Sequence, residues 1–133
     1  MEMNKIIAVD FDGTLCESNW PGIGLAKKNV IRALKREIAG GAKVILWTCR
    51  EGEQLMDAIK WSVDEGIVFD AVNDNLPENK EYFGNDSRKV YATEYWDDKG
   101  VEICGDEVHG YQWYPPKRTW REKVREIVRI IRE

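Results

Sequence analysis

A single histidine, His109, occurs in the 133 residues, which excludes a histidine-rich metal site. Cysteine is scarce as well: Cys16, Cys49 and Cys104 make an odd count with no close pair. That spacing gives neither a disulfide framework nor a zinc signature. No apolar run approaches the roughly 20 residues that cross a bilayer, so no membrane association is expected. Met1 to Val9 is too short, and Asp10 follows too soon, for a signal peptide, and a cytoplasmic location is the expectation. Positive charge is in the minority, with a formal net charge of -4, which argues against non-specific nucleic-acid binding by the whole surface. Repeats, low-complexity segments and linkers are missing too, so one domain over residues 1–133 is expected. What remains is an ordinary globular balance, with 43% apolar and 33% charged residues.

The apolar residues are patterned. Lys5 to Val9 is a short β-branched run ending at acid and glycine, as a buried parallel strand does. From Leu25 to Ala39, Val30, Ile31, Leu34 and Ile38 recur at helical spacing, and Gly40-Gly41 ends the helix. Ala42 to Trp47 reads as a second strand. Leu55, Ile59 and Val63 mark a second helix stopped near Gly66, and Val68 to Val72 a third strand. Asn73 to Asp86, rich in Asn, Asp, Pro and Gly, reads as a loop. Val90 to Trp96 is a fourth strand and Val101 to Cys104 a candidate fifth. Strands alternating with helices predict an α/β, Rossmann-like three-layer sandwich with a mainly parallel central sheet. Ligands of such sheets sit beyond the carboxyl ends of the strands.

At the carboxyl end of the first strand stands Asp10-Phe11-Asp12-Gly13-Thr14-Leu15. Residues two apart face the same side of an extended chain, so Asp10 and Asp12 address one site while Phe11 turns inward. Gly13 permits a sharp exit. Two carboxylates about 4 Å apart repel by about 4 kcal/mol at an effective dielectric of about 20, so the pair needs a cation or a shared proton. The bland alternative is a strand-end turn whose carboxylates cap backbone amides. Other strand ends add Trp47-Thr48-Cys49-Arg50, Ser87-Arg88-Lys89 and Trp96-Asp97-Asp98-Lys99.

This ordered set, DFDGTL, a strand-end Thr, a Lys and an Asp-Asp pair, resembles the four motifs of the haloacid-dehalogenase-like (HAD) phosphatases, over about Lys5 to Lys99. It is most similar to small members carrying Trp-Thr-x-Arg-x-Gly, Asn-x-Pro-Glu and Ser-Arg-Lys segments, here Trp47 to Gly52, Asn75 to Glu78 and Ser87 to Lys89. The resemblance implies a phosphatase in which Asp10 attacks phosphorus and Asp12 protonates the leaving oxygen and then deprotonates water. It implies that Thr48 donates to phosphoryl oxygens and that Lys89 balances the carboxylates. It implies Mg2+ held by Asp10, the backbone carbonyl of Asp12, and Asp98, with Asp97 beside it or acting through water. Family members acting as dehalogenases or ion pumps lack Asp at the position of Asp12. Response-regulator receivers, a look-alike, place their phosphorylated Asp on a middle strand. Magnesium's preference for hard oxygen ligands agrees with this set, and so does the positional character of phosphoryl transfer.

Other signals leave alternatives open. Arg50 holds a substrate phosphate through its bidentate fork, or is a surface residue paired with Glu51 or Glu53. Gly13 and Cys49 also lie where substrate would bind, although packing accounts for Cys49. Trp20 to Gly24 and Asn73 to Asp86 stand where larger relatives insert a cap; both are too short to fold as one, so the site is expected to be open and capless. Trp20, Ile23, Asn73 and Asn75 touch substrate or anchor loops. Lys117 to Glu133 reads as an amphipathic helix with Trp120, Val124, Ile127, Val128 and Ile131 on one stripe. Arg118, Arg121, Arg125, Arg129 and Arg132 follow an adjacent face. That face suits a phosphate-rich polymer, an oligomer contact or plain solvation. The expected partner is a phosphorylated substrate, either a small molecule or a nucleic-acid end; a homo-oligomer and a non-catalytic metal- or partner-binding module are the further alternatives.

Overall fold

The computed structural model describes residues 5–110 and 120–132. The chain forms two compact units, Met1–Asp98 and Lys99–Glu133.

The first unit is mixed α/β. Strand β1, Ile6–Val9, is buried at all four positions, as its unbroken apolar run requires. Two short strands follow, β2 (Cys16–Asn19) and β3 (Gly22–Ala26), paired antiparallel as a hairpin around Trp20-Pro21. Helix α1 spans Lys28–Ala39, β4 Lys43–Leu46, α2 Gly52–Asp64, β5 Ala71–Val72, α3 Pro77–Phe83 and β6 Glu94–Trp96. Strands β5-β4-β1-β6 form one sheet in that order, all parallel. A four-stranded parallel sheet flanked by helices is the Rossmann-like arrangement expected.

Two clusters fill the faces of this sheet. On one, Ile7, Val9, Phe11, Val44 and Leu46 pack with Ile31 and Leu34 of α1 and Ala58 of α2. On the other, Ile6, Ala8 and Ile45 pack with Leu76 and Val90, and with partly buried Tyr91 and Ala92. Right-handed crossovers explain the division. The chain steps from β1 through α1 to β4 and through α2 to β5, always in one direction, so both helices fall on one face. It then reverses to reach β6 on the far side of β1, and residues 76–92 cover the opposite face.

Several expectations are corrected. Leu25 and Ala26 belong to β3, not to the first helix, because the chain after Leu15 turns back as a hairpin before α1 begins. The 73–86 segment contains α3, opened by Pro77 just inside its start and closed by Gly84 at φ 71°, a proline and glycine placement that favours a helix over a loop. Strands β5 and β6 are shorter than expected. Val63 is exposed, and α2 buries Ala58 and Ser62 instead.

In the second unit, β7 (Val101–Cys104) pairs antiparallel with β8 (Glu107–Gly110) across Gly105 at φ 65°, so it is not a fifth strand of the main sheet. Helix α4 runs Trp120–Arg132, and Val124, Ile127, Val128 and Ile131 of its apolar stripe are exposed. Residues 111–119, including Pro115, Pro116, Lys117 and Arg118, and Glu133 lie outside the described residues. Among the described residues no helix is long and apolar enough to cross a membrane.

Candidate functional site

The chain moves from β1 to β4 and β5 on one side and then returns to β6 on the other side of β1, so the carboxyl ends of β1 and β6 flank the switch point where an open parallel sheet binds ligands. The register puts Val9 beside Trp96 on one side and Leu46 on the other. One residue further along, Asp10 therefore lies between Trp47 and Asp97. Its own N–H donates to the Trp96 carbonyl (2.9 Å), and the Trp47 N–H donates to the Val9 carbonyl (2.8 Å). Three residues distant in sequence thus become neighbours through backbone pairing alone.

Asp10, Asp97 and Asp98 each bring a carboxylate oxygen within 4.8 Å of the others. Asp10 is half-buried, and that burial is the main reason its pKa is pushed up to about 6 from 3.8. The negative charges of Asp97, Asp98 and Asp12 push the same way, against the stabilising hydrogen bond from the Phe11 N–H to Asp10 Oδ1 (2.8 Å). Gly13 is what lets Asp98 come this close. It sits at φ +83°, and a Cβ there would stand 2.8 Å from the Asp98 carboxyl carbon. The Lys27 ammonium, at the foot of the β2–β3 hairpin, donates to the Gly13 carbonyl (2.5 Å) and braces the same turn.

Asp12 is oriented differently from the other carboxylates. Both its oxygens are taken by Arg50: Nε donates to Oδ2 and Nη2 to Oδ1, each at 2.7 Å. Arg50 is only 2% exposed, so it is not the surface residue allowed by one of the two expectations. Its guanidinium also donates to the carbonyls of Pro21 (3.3 Å) and Gly22 (2.7 Å) at the hairpin tip and of Gln54 (3.4 Å) in α2. The rings of Phe11 and Trp20 each lie 5.0 Å from Arg50 Cζ. Hydrogen bonding to Asp12 raises the Arg50 pKa further above its ordinary value, against the opposing effect of burial.

Thr48 follows β4, its N–H donating to Asn73 Oδ1 (2.8 Å) while its Oγ1 accepts from the Arg50 N–H (3.1 Å). Cys49 is exposed and free. Lys89 is exposed, with its ammonium 5.7 Å from the centre of the Tyr95 ring. Tyr95 pairs in register with Ala8, so it stands one side-chain step below the Asp10–Asp97 pair on the same face of the sheet. Among the described ion pairs none joins Lys89 to Asp10. Asn73 and Asn75 act as loop anchors. The Asn75 amide donates to Asp86 Oδ1 (3.1 Å) and the Ser87 carbonyl (3.0 Å) and accepts from the Tyr91 N–H (2.7 Å).

Fold and site together define an α/β protein with a carboxylate cluster at the switch point of its parallel sheet. The chain matches a solved structure described as that of a conserved protein coded by a locus of Bacteroides thetaiotaomicron, at 39% identity over 74% of this chain and 78% of the other, with a TM-score of 0.65. It belongs to the family of that conserved protein. No family model and no curated protein matches.

Two features escaped the sequence. The β2–β3 hairpin was signalled only by Pro21-Gly22, a turn dipeptide. The Arg50–Asp12 fork spans 38 residues and had no local signal at all.

Proposed function

We propose that this chain is a magnesium-dependent phosphate monoester hydrolase of the HAD-like superfamily, capless and cytoplasmic, working through an aspartyl-phosphate on Asp10. The observation that carries the reading is the convergence of Asp10, Asp97 and Asp98 on one point at the switch of the sheet. Three carboxylates are hard oxygen donors, the kind Mg2+ selects, and their mutual repulsion is relieved by a divalent cation. The donor set therefore fits the ion, with Asp10, Asp98 and Asp97 as the residues that would hold it. When bound, it would supply positive charge to the phosphoryl oxygens.

Asp10 Oδ1 is engaged by the Phe11 N–H, which leaves Oδ2 as the attacking atom. Oδ2 forms the bond to phosphorus as the bond from phosphorus to the leaving oxygen breaks, and Asp12 gives that oxygen its proton. Asp12 then takes a proton from water, whose oxygen attacks phosphorus and releases Asp10. Thr48 and Lys89 belong to this reading as phosphate ligands. Lys89 reaches the phosphate by leaving the Tyr95 ring, a movement its flexible four-carbon stem allows.

The test is turnover of 4-nitrophenyl phosphate by the purified chain with Mg2+. Turnover is expected to vanish with EDTA and with Asp10→Asn. Activity retained by that variant would overturn the assignment of nucleophile. Nucleotides, sugar phosphates and 3′- or 5′-phosphorylated oligonucleotides then separate the substrate classes.

A further inference from the structure

We infer that Arg50 is a positioning residue that makes the alignment of Asp12 conditional on the seating of the β2–β3 hairpin. The inference rests on the proposed role of Asp12 in proton transfer. A guanidinium carries five N–H groups in a fixed planar fork. Two meet Asp12, two meet the hairpin-tip carbonyls of Pro21 and Gly22, and one meets the carbonyl of Gln54. No donor is left over for a substrate phosphate, so Arg50 serves the site through Asp12 rather than by touching substrate.

Two aromatic rings also lie against the guanidinium, each with its centre 5.0 Å from Arg50 Cζ. Phe11, inside the acidic motif, lies on one ring contact, and Trp20, in the hairpin turn, supplies another. Arg50 therefore joins three parts of the chain: the motif loop, the hairpin tip and the start of α2. A buried charge tolerates the loss of its partners poorly. If the hairpin tip lifts, Arg50 loses two carbonyl acceptors and the Trp20 ring together, and water reaches the fork that holds Asp12. If Asp12 is removed, the guanidinium loses its counter-charge, and the tip loses the reason for its seat.

The fork does not block chemistry. A carboxylate offers about four lone-pair sites, and Arg50 uses two of them. The Asp12 side chain keeps 26% of its surface exposed, which leaves room for a leaving oxygen or a water. The clamp sets which lone pairs point that way. Lysine cannot replace it, because a point charge has no planar fork to fix a carboxylate in two places.

The experiment compares kcat/KM on a good leaving group, 2,4-dinitrophenyl phosphate, and on a poor one, an alkyl phosphate. It is run on the full chain with Mg2+ for wild type, Asp12→Asn, Arg50→Ala and Arg50→Lys. Amide hydrogen exchange over residues 16–26 is measured in parallel. General acid catalysis contributes about 100-fold or more, and a good leaving group needs little of it. Arg50→Ala is expected to lose about 100-fold on the alkyl phosphate and under 10-fold on the dinitrophenyl ester, matching Asp12→Asn. Its hairpin amides should exchange at least several-fold faster. Added guanidinium should restore part of the alkyl-phosphate rate, and Arg50→Lys should not behave as wild type. An equal loss on both esters, or unchanged hairpin exchange, overturns the inference. If Arg50→Ala does not fold, Asp12→Asn, nearly the same size, carries the exchange measurement, and unchanged exchange there is equally fatal. Wild-type inactivity on every phosphate would instead defeat the proposed function, with the exchange arm still deciding the link between hairpin and Asp12.

Discussion

Replacing Asp10 by asparagine should stabilise the metal-free protein at neutral and alkaline pH while destroying its proposed activity. Burial and three neighbouring carboxylates push the Asp10 pKa up to about 6 from 3.8. Each pKa unit corresponds to about 1.36 kcal/mol, so the ceiling on the penalty for holding Asp10 charged is about 3 kcal/mol. Asp10 is only half-buried, and solvent screening lowers that figure to about 1–1.5 kcal/mol. The sign follows from proton counting. Between about pH 4 and pH 6 the folded state holds more protons than the unfolded one, so stability falls as pH rises through that window and stays lower above it. About a unit below 3.8 Asp10 is protonated in both states and the penalty disappears.

Asparagine is neutral throughout, and its Oδ1 can still accept the Phe11 N–H. In EDTA at pH 8 the variant should therefore melt about 3–6 °C above wild type. At pH 3, below the ordinary value of 3.8, the gap should nearly close. Excess Mg2+ should then raise the wild-type midpoint more than that of the variant, since ligand binding to the folded state adds stability as the logarithm of one plus the ratio of ligand concentration to Kd. Thermal unfolding followed by circular dichroism at the two pH values, with and without Mg2+, is sufficient. An Asp10→Asn protein that melts below wild type at pH 8 in chelator would refute the reasoning, as would a gap of the same size at both pH values.

Gly13→Ala should cost about 1–3 kcal/mol, because it forces a Cβ into a positive-φ position and against the Asp98 carboxyl group. The informative readout is loss of the Mg2+-dependent rise in melting temperature, which would show that Asp98 has been displaced. Asn75→Ala should cost about 2–3 kcal/mol, since it removes three hydrogen bonds and leaves the Tyr91 N–H without its acceptor. Urea denaturation measures that loss, and the Tyr91 amide should exchange faster in the variant.

Much of the sheet was legible because its signals are local. Ile6 to Val9 and Val44 to Leu46 are unbroken apolar runs, and such runs become strands buried on both faces. Ile31 and Leu34 recur at helical spacing and are the two buried residues of α1. Strand-end placement of Asp10 follows from the first of those runs, and that of Asp97-Asp98 from the Val90 to Trp96 pattern. Boundaries fared worse where polar residues share the work. The helical spacing of Val30, Ile31, Leu34 and Ile38 does not mark where the helix begins, and Leu25 stands in β3, where pairing with the chain after Leu15 decides its conformation. The 73–86 segment looked like a loop from its Asn and Asp content, but Pro77 and Gly84 frame a helix within it.

By itself, the order of residues determined that strands and helices alternate, that a carboxylate pair closes the first strand, and that a second pair closes the last strand of the parallel sheet. Those features depend on spacings of two to four residues, which the chain writes out directly. Only the tertiary structure decided that Asp97 and Asp98 meet Asp10 across the switch between β1 and β6. It alone turned Arg50 inward onto Asp12 under a hairpin tip, and set Lys89 over Tyr95 instead of against Asp10. Each of those outcomes joins side chains from different elements or loops. Their relative position is set by strand register and crossover direction, which no short stretch of sequence contains.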